Sequence, residues 1–277
     1  MANDAEIFAA DFKEQPFWWD AAPRPVLPQS PLPAKVDVAV VGSGHTGLVA
    51  ALTLARAGRR VAVFDAGDAG QGASSRNAGY VGRSLKHGFG ELMERHGLDR
   101  AVAVYRDMRT AFDWVFTLVE QEQIACKLVH CGRFVGALSP RQHESMAREY
   151  ALRERHLGES FEMLSRAGQG REFGSDYYCG GAIIPDHGSF HPGLYHLGLF
   201  ERALSAGVEV HARTPVTSVR RESDGFVVES GRGAVTARDV LVAANGYIDK
   251  TMPWLRRRLV PFHGYMVATE PLPREQI

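Results

Sequence analysis

Residues 38–54 read VAVVGSGHTGLVAALTL. A β-branched apolar run, Val36 to Val41, stops at a glycine cluster and gives way to an alanine- and leucine-rich stretch. The run predicts a buried parallel strand. The stretch predicts a helix from His45 to about Ala57, closed by Gly58. RRVAVFDAG supplies the next strand, Val61 to Asp65, completing a βαβ unit of about thirty residues. Gly42, Gly44 and Gly47 fit G-x-G-x-x-G at the strand-to-helix turn. In that motif the first glycine permits the tight turn, the second clears space for a pyrophosphate, and the third lets helix and strand approach. The helix N-terminus offers unpaired N–H groups and partial positive charge to the phosphates. Asp65 ends the second strand about twenty residues on, where a carboxylate accepts hydrogen bonds from ribose hydroxyls. Together these features point to a dinucleotide.

The motif alone leaves open whether that dinucleotide is NAD or FAD. The loop that follows, GDAGQGASSRNAGYVG over 67–82, is longer than a plain connection needs, which marks it as functional. Within it, GASSRNAG at 72–79 has small residues that allow a ligand close to the backbone. Ser74 and Asn77 can hydrogen-bond phosphate or ring edges, and Arg76 can pair with an anion.

Around this unit the chain reads as follows. Residues 1–34 form a proline-dense leader, expected to be extended and without regular helix, with Trp18 and Trp19 pinning it to the body. Val102, Tyr105, Met108, Phe112, Val115, Phe116 and Val119 recur at threes and fours and predict a helix over about 98–123. CKLVHCGRFVGALS (126–139) reads as a strand or hairpin, and 140–157 as a polar helix opening on proline. Residues 177–193 are loop and short strand, 194–207 a helix ending in glycine, and 208–213 a strand returning to the sheet. VTSVRRESDGFVVES (216–230) is a hairpin with an Asp-Gly turn. GAVTARDVLVAANGY (233–247) reads as a strand pair with Val240–Ala243 buried, and about 261–270 as a last strand.

Composition excludes several classes. Thirty-two basic and 32 acidic side chains cancel, so bulk charge indicates no nucleic-acid surface. Cys126, Cys131 and Cys179 are an odd set without CxxC, giving neither a disulfide framework nor zinc spacing. His187, His191 and His196 fit no metal motif and read as packing residues; Arg256–Arg258 read as a solvated face. No P-loop or nucleophile elbow is present. The N-terminus is no secretory signal and no stretch reaches about 18 apolar residues, so a soluble cytoplasmic protein without membrane or metal is expected.

DVAVVGSGHTGLVAALTLARAGRRVAVFDAG (37–67), GASSRNAG, YHLGLFERALSAGVEV (195–210), VLVAANGY (240–247) and MVATEPLP (266–273), in this order, resemble the FAD-dependent D-amino-acid-oxidase-like oxidoreductases. FWWD and HTGL look most like the gamma-glutamylputrescine oxidoreductase branch. The resemblance implies an α/β fold, with a Rossmann-like FAD-binding domain of glutathione-reductase type (35–95 and 155–250). This domain would be interleaved with a partial antiparallel-sheet substrate domain (96–154 and 251–277). It implies that the turn Gly42, Ser43, Gly44, His45, Thr46 and Gly47 cradles the FAD pyrophosphate, and that Asp65, with Ala66 beside it, holds the adenosine ribose. Members more often carry glutamate at that position. Gly72, Ala73, Ser74, Arg76, Asn77, Ala78 and Gly79 would run beside the FAD toward its ring. Val216 would meet adenine through its backbone, and Ala243, Ala244, Asn245 and Gly246 would form the strand end near the cofactor. Members are considerably longer, so the resemblance also implies that the chain is a fragment lacking a C-terminal part; a second polypeptide that supplies this part is one possible partner. The implied reaction is oxidation of an amine or amino acid with FAD. The rival readings are an NAD-dependent dehydrogenase and a non-catalytic or partner-dependent FAD-binding fragment. No catalytic acid or base is assigned.

Overall fold

The computed structural model describes residues 12–172, 174–262, 264–268 and 272–273. Along the chain run α1 (Trp18–Ala21), β1 (Lys35–Val41), α2 (His45–Arg56) and β2 (Val61–Phe64), then β3 (Tyr80–Val81), α3 (Phe89–His96), α4 (Leu98–Gln121) and β4 (Val129–His130). Next come β5 (Arg133–Gly136), α5 (Pro140–Leu157), β6 (Glu162–Leu164), β7 (Gly181–Ile184) and β8 (Gly188–Ser189). The remainder is α6 (Pro192–Ser205), β9 (Glu209–His211), β10 (Val216–Glu222), β11 (Gly225–Ser230), β12 (Gly233–Val242) and α7 (Pro253–Arg256). The chain divides into two compact units, 1–78 with 192–268, and 79–191 with 269–277.

The first unit is built on a six-stranded sheet of order β10-β11-β12-β1-β2-β9. β12, β1, β2 and β9 run parallel, with Val41 opposite both Val242 and Phe64 and Phe64 opposite His211. Four strands therefore end at one edge, where ligands of open α/β sheets bind. In β1, Val36, Val38, Ala39 and Val40 are all buried, as in a parallel strand covered on both faces. Val36, Ala39, Ala62, Phe64, Val228, Val235 and Ala237 form one core cluster, with Leu32, Val216 and Val240 against it. α2 packs on β2 and α6, burying Leu48, Ala51 and Leu52 on one side and Leu199, Phe200 and Ala203 on the other.

In the second unit, α3 and α4 close over Phe89, Ala101 and Tyr105. The Glu149 carboxylate accepts the N–H groups of Phe89 (2.5 Å) and Gly90 (3.0 Å), satisfying the first turn of α3. α5 has its expected ends: Ser139 Oγ accepts the Gln142 N–H at 3.2 Å, Pro140 opens the first turn, and Gly158 closes the helix at φ +68°. Two small antiparallel sheets, β3-β8-β4 and β5-β7-β6, complete the unit.

Four expectations are corrected. The leader contains one turn of helix, α1, because Trp19 and Ala22 donate to the carbonyls of Pro16 and Trp18 before the dense prolines begin. Residues 126–139 are not a hairpin: β4 pairs with β8 and β5 with β7, both partners distant in sequence. Residues 233–242 are one strand, whose first part pairs with β11 and later part with β1, and Val240–Ala243 are half-buried. No strand forms at 261, 262 or 264–268; Val260, Phe262, Tyr265 and Val267 are each over 90% exposed. Residues 263, 269 and 270 of that expected strand lie outside the described residues.

Candidate cofactor site

At the parallel edge the chain reverses from β1 into α2. Gly42 donates to Phe64 O, and Ala243 donates to Val41 O, both at 2.8 Å, so three strand tips are tied together. Gly42 has φ +106°, and a Cβ there would lie 2.7 Å from Ala243 O. A Cβ on Gly47 would run into the Gly42 carbonyl, so α2 can approach β1 only over a glycine. Gly44 serves a neighbour: a Cβ there would lie 2.8 Å from Ser74 Oγ, which accepts the His45 N–H at 3.0 Å.

These tips border a cavity of about 570 Å³. Among the expected residues, Gly42, Gly44, Asp65, Ala66, Gly72, Ala73, Ser74, Arg76, Val216, Ala243, Ala244 and Asn245 line it. Ser43, His45, Thr46, Gly47, Asn77, Ala78 and Gly246 do not. Gly79 belongs to the second unit. The motifs missed Gln71, Pro215, Tyr247, Asp249, Thr251 and Met252, which also line the cavity. Tyr247 had a signal in AANGY: its ring stands 3.1 Å from where a Cβ on Gly72 would be.

The Asp65 carboxylate is engaged with the turn. Oδ2 accepts the Ser43 N–H at 2.8 Å and the Ser43 hydroxyl at 2.5 Å, and Oδ1 accepts the Gly67 N–H at 3.0 Å. A carboxylate offers about four acceptor positions, so the Oδ1 side keeps capacity for a hydroxyl. Ser43 is wholly buried, and its Oγ also accepts the Gly70 N–H at 3.1 Å. The loop is thus sewn to the glycine turn by one serine.

The arm is fastened to the same loop, as the tryptophans suggested. Trp19 Nε1 donates to Ser75 Oγ at 2.9 Å, and Ser75 Oγ donates to Gly70 O at 2.6 Å. Trp18 Nε1 donates to Asn77 O at 3.0 Å. Arg76 lies 4.8 Å from the Trp19 ring. Asn77 is spent on the carbonyls of Ala73 and Ser74, so its amide braces the loop.

Behind the turn, His196 is buried, with Nε2 2.8 Å from Ser43 O and Nδ1 3.0 Å from Arg24 Nη1. A carbonyl only accepts and a guanidinium only donates, so Nε2 carries the proton and the ring is neutral. Burial pushes His196 down to about 4; the bond to Ser43 opposes this and Arg24 adds to it. Burial, then His196, pushes His45 down to about 4, against the bond to Ser74. The His45 ring packs edge-on to Tyr195 at 4.9 Å. Neither imidazole carries charge at neutral pH.

Among the described residues, the N–H groups of Gly44 and Thr46 have no acceptor. No carboxylate of the described residues pairs with Arg24 or Arg76. Unpaired backbone donors at a glycine turn, two uncompensated guanidiniums and a carboxylate at the neighbouring strand tip fit the phosphates and ribose of an adenine dinucleotide. The family model that matches is DAO, FAD dependent oxidoreductase, over residues 37–277.

The chain belongs to this FAD-dependent oxidoreductase family. It is 32% identical to the gamma-glutamylputrescine oxidoreductase of Escherichia coli, over 85% of this chain and 55% of that protein. It is 29% identical to a probable oxidoreductase, OrdL, of Haemophilus influenzae, over 85% of this chain and 56% of the relative. The crystal structure of glycine oxidase from Geobacillus kaustophilus superposes with a TM-score of 0.67 at 25% identity, over 81% of this chain and 59% of that one. The DAO-family chain thus spans somewhat over half the length of these relatives. Among its described residues no group of three His, Cys, Asp or Glu side chains could hold a metal. Among them, no helix is long and apolar enough to cross a membrane.

Proposed function

We propose that this chain provides the FAD-binding part of an oxidoreductase that oxidises an amine or amino acid at its C–N bond. The observation carrying this is the turn 42–47, whose Gly44, with an unpaired N–H, lines the same cavity as Asp65, in a chain of an FAD-dependent family. FAD, when bound, supplies the two-electron acceptor for converting an amine into an imine, which water hydrolyses.

The chain's own residues would work as follows. The turn holds the pyrophosphate, with Gly44 and Thr46 donating. Asp65 holds the ribose through the free side of Oδ1. The backbone at Pro215 and Val216 seats adenine, and Arg76 adds positive charge at the loop. Ala243, Ala244, Asn245 and Tyr247 line the wall toward the rest of the cofactor. By role, 35–95 and 155–250 serve the cofactor and 96–154 and 251–277 the substrate, a division that cuts across the compact units at 79–95, 155–191 and 251–268.

The names of the relatives point to amines and amino acids as substrates. Loading the protein with FAD and adding primary and secondary amines and amino acids without oxygen tests this. Loss of the visible flavin absorbance with at least one of them is the expected result. Flavin that stays oxidised throughout overturns the assignment of the reaction.

A further inference from the structure

Arg24 belongs to none of the motifs, yet it sits one imidazole away from the phosphate turn. Its Nη1 donates to His196 Nδ1 at 3.0 Å, and Nη2 donates to the carbonyls of Ala22 at 2.7 Å and Gly193 at 3.3 Å. Its Nε is buried without a partner, and no carboxylate of the described residues pairs with it. A partly buried cation with no counter-charge is costly to keep. The Trp19 ring, 5.8 Å from the guanidinium carbon, offers only a weak cation–π contact in place of a counter-charge, so the charge needs a further reason.

On the far side of His196, Nε2 donates to Ser43 O at 2.8 Å. That carbonyl shares a peptide plane with the unpartnered Gly44 N–H. In a trans peptide the C=O and N–H point in opposite directions. Holding the carbonyl toward His196 therefore turns the Gly44 N–H away from it, and Gly44 lines the cavity. The bonds run in one sense, from guanidinium to imidazole to carbonyl, and such chains polarise each member in turn. Trp19 and Trp18, fastened to Ser75 and Asn77, hold the arm that carries Arg24 in place.

We propose that Arg24 is a positioning residue for the cofactor: through His196 it orients the Ser43–Gly44 peptide and brings positive charge for which the bound diphosphate is the counter-ion. This rests on the reading of the cavity as an FAD site. The N-terminal arm thereby becomes part of that site, although it precedes the glycine motif by some twenty residues.

The test compares two ligands that share adenosine and differ in charge. ADP carries a diphosphate and adenosine carries none, and their affinities are measured by calorimetry for the wild type, Arg24→Gln and Arg24→Lys. Glutamine keeps a donor for His196 and removes the charge. Arg24→Gln is expected to weaken ADP about tenfold, the scale of one charge acting over about 10 Å at an effective dielectric near 20. Adenosine should change less than about twofold, and Arg24→Lys should keep ADP within about threefold, because its charge remains. A merely structural role would weaken both ligands together; equal losses, or an unchanged ADP affinity, overturn the proposal. If Arg24→Gln does not fold, Arg24→Lys decides: loss of ADP binding beyond about tenfold with adenosine retained contradicts the charge argument. A wild type that binds neither ADP nor FAD refutes the FAD reading itself, and the proposal with it.

Discussion

Ser43→Ala tests the network that builds the turn. The hydroxyl is wholly buried, donates to Asp65 Oδ2 at 2.5 Å and accepts the Gly70 N–H at 3.1 Å. Alanine removes a hydrogen bond to a charged group, worth about 1.5–3 kcal/mol. It also strands the Gly70 N–H, since the space left by one oxygen is too small for a bridging water. Asp65 keeps the N–H groups of Ser43 and Gly67, at 2.8 and 3.0 Å, so its charge stays solvated by two donors. The net cost should be about 2–3 kcal/mol. Urea unfolding of the FAD-free protein, followed by circular dichroism, should show a midpoint lower by about 1 M at unchanged slope. A change below about 0.5 kcal/mol, the usual range for an inconsequential surface substitution, would falsify the claim that Ser43 joins the loop to the turn.

Two further perturbations follow from the same geometry. His45 and His196 both titrate near 4 in the folded protein against about 6.5 unfolded. Between those values the unfolded chain binds more protons, so stability is whole above about 6.5 and falls as pH drops toward 4, by about 2 kcal/mol per imidazole at pH 5. Urea midpoints at pH 7 and pH 5 measure this, and equal midpoints would show that the rings are not held neutral. Gly47→Ala pushes a methyl group into the Gly42 carbonyl, which is main chain and has no way to yield. A loss of about 3 kcal/mol is expected, with the thermal midpoint as readout, and a variant as stable as the parent would show that α2 does not need this approach.

The glycine motif and its flanking periodicities were legible because each depends on neighbours in sequence. Val36–Val41, Gly42 and the α2 pattern lie within twenty residues, and α5 announces both ends through Ser139, Pro140 and Gly158. What stayed hidden depends on distant partners. β4 and β5 look like a hairpin until residues 181–189 arrive to claim each separately. Val240–Ala243 look like core because they are apolar, but they end at the cavity edge and stay half-buried. The expected ribose role gave no hint that Asp65 is first an acceptor for Ser43, 22 residues away. Arg24 and His196 are 172 residues apart, so no local pattern could join them.

The edge formed by Gly42–Gly47, Asp65 and Ala243–Asn245 is the proposed seat of FAD. Titrating the purified chain with FAD while following quenching of flavin fluorescence tests it most directly, with NADH titrated in parallel. Saturation at one FAD per chain and weaker binding of NADH are expected. A chain that never saturates with FAD, or that binds NADH more tightly, would contradict it.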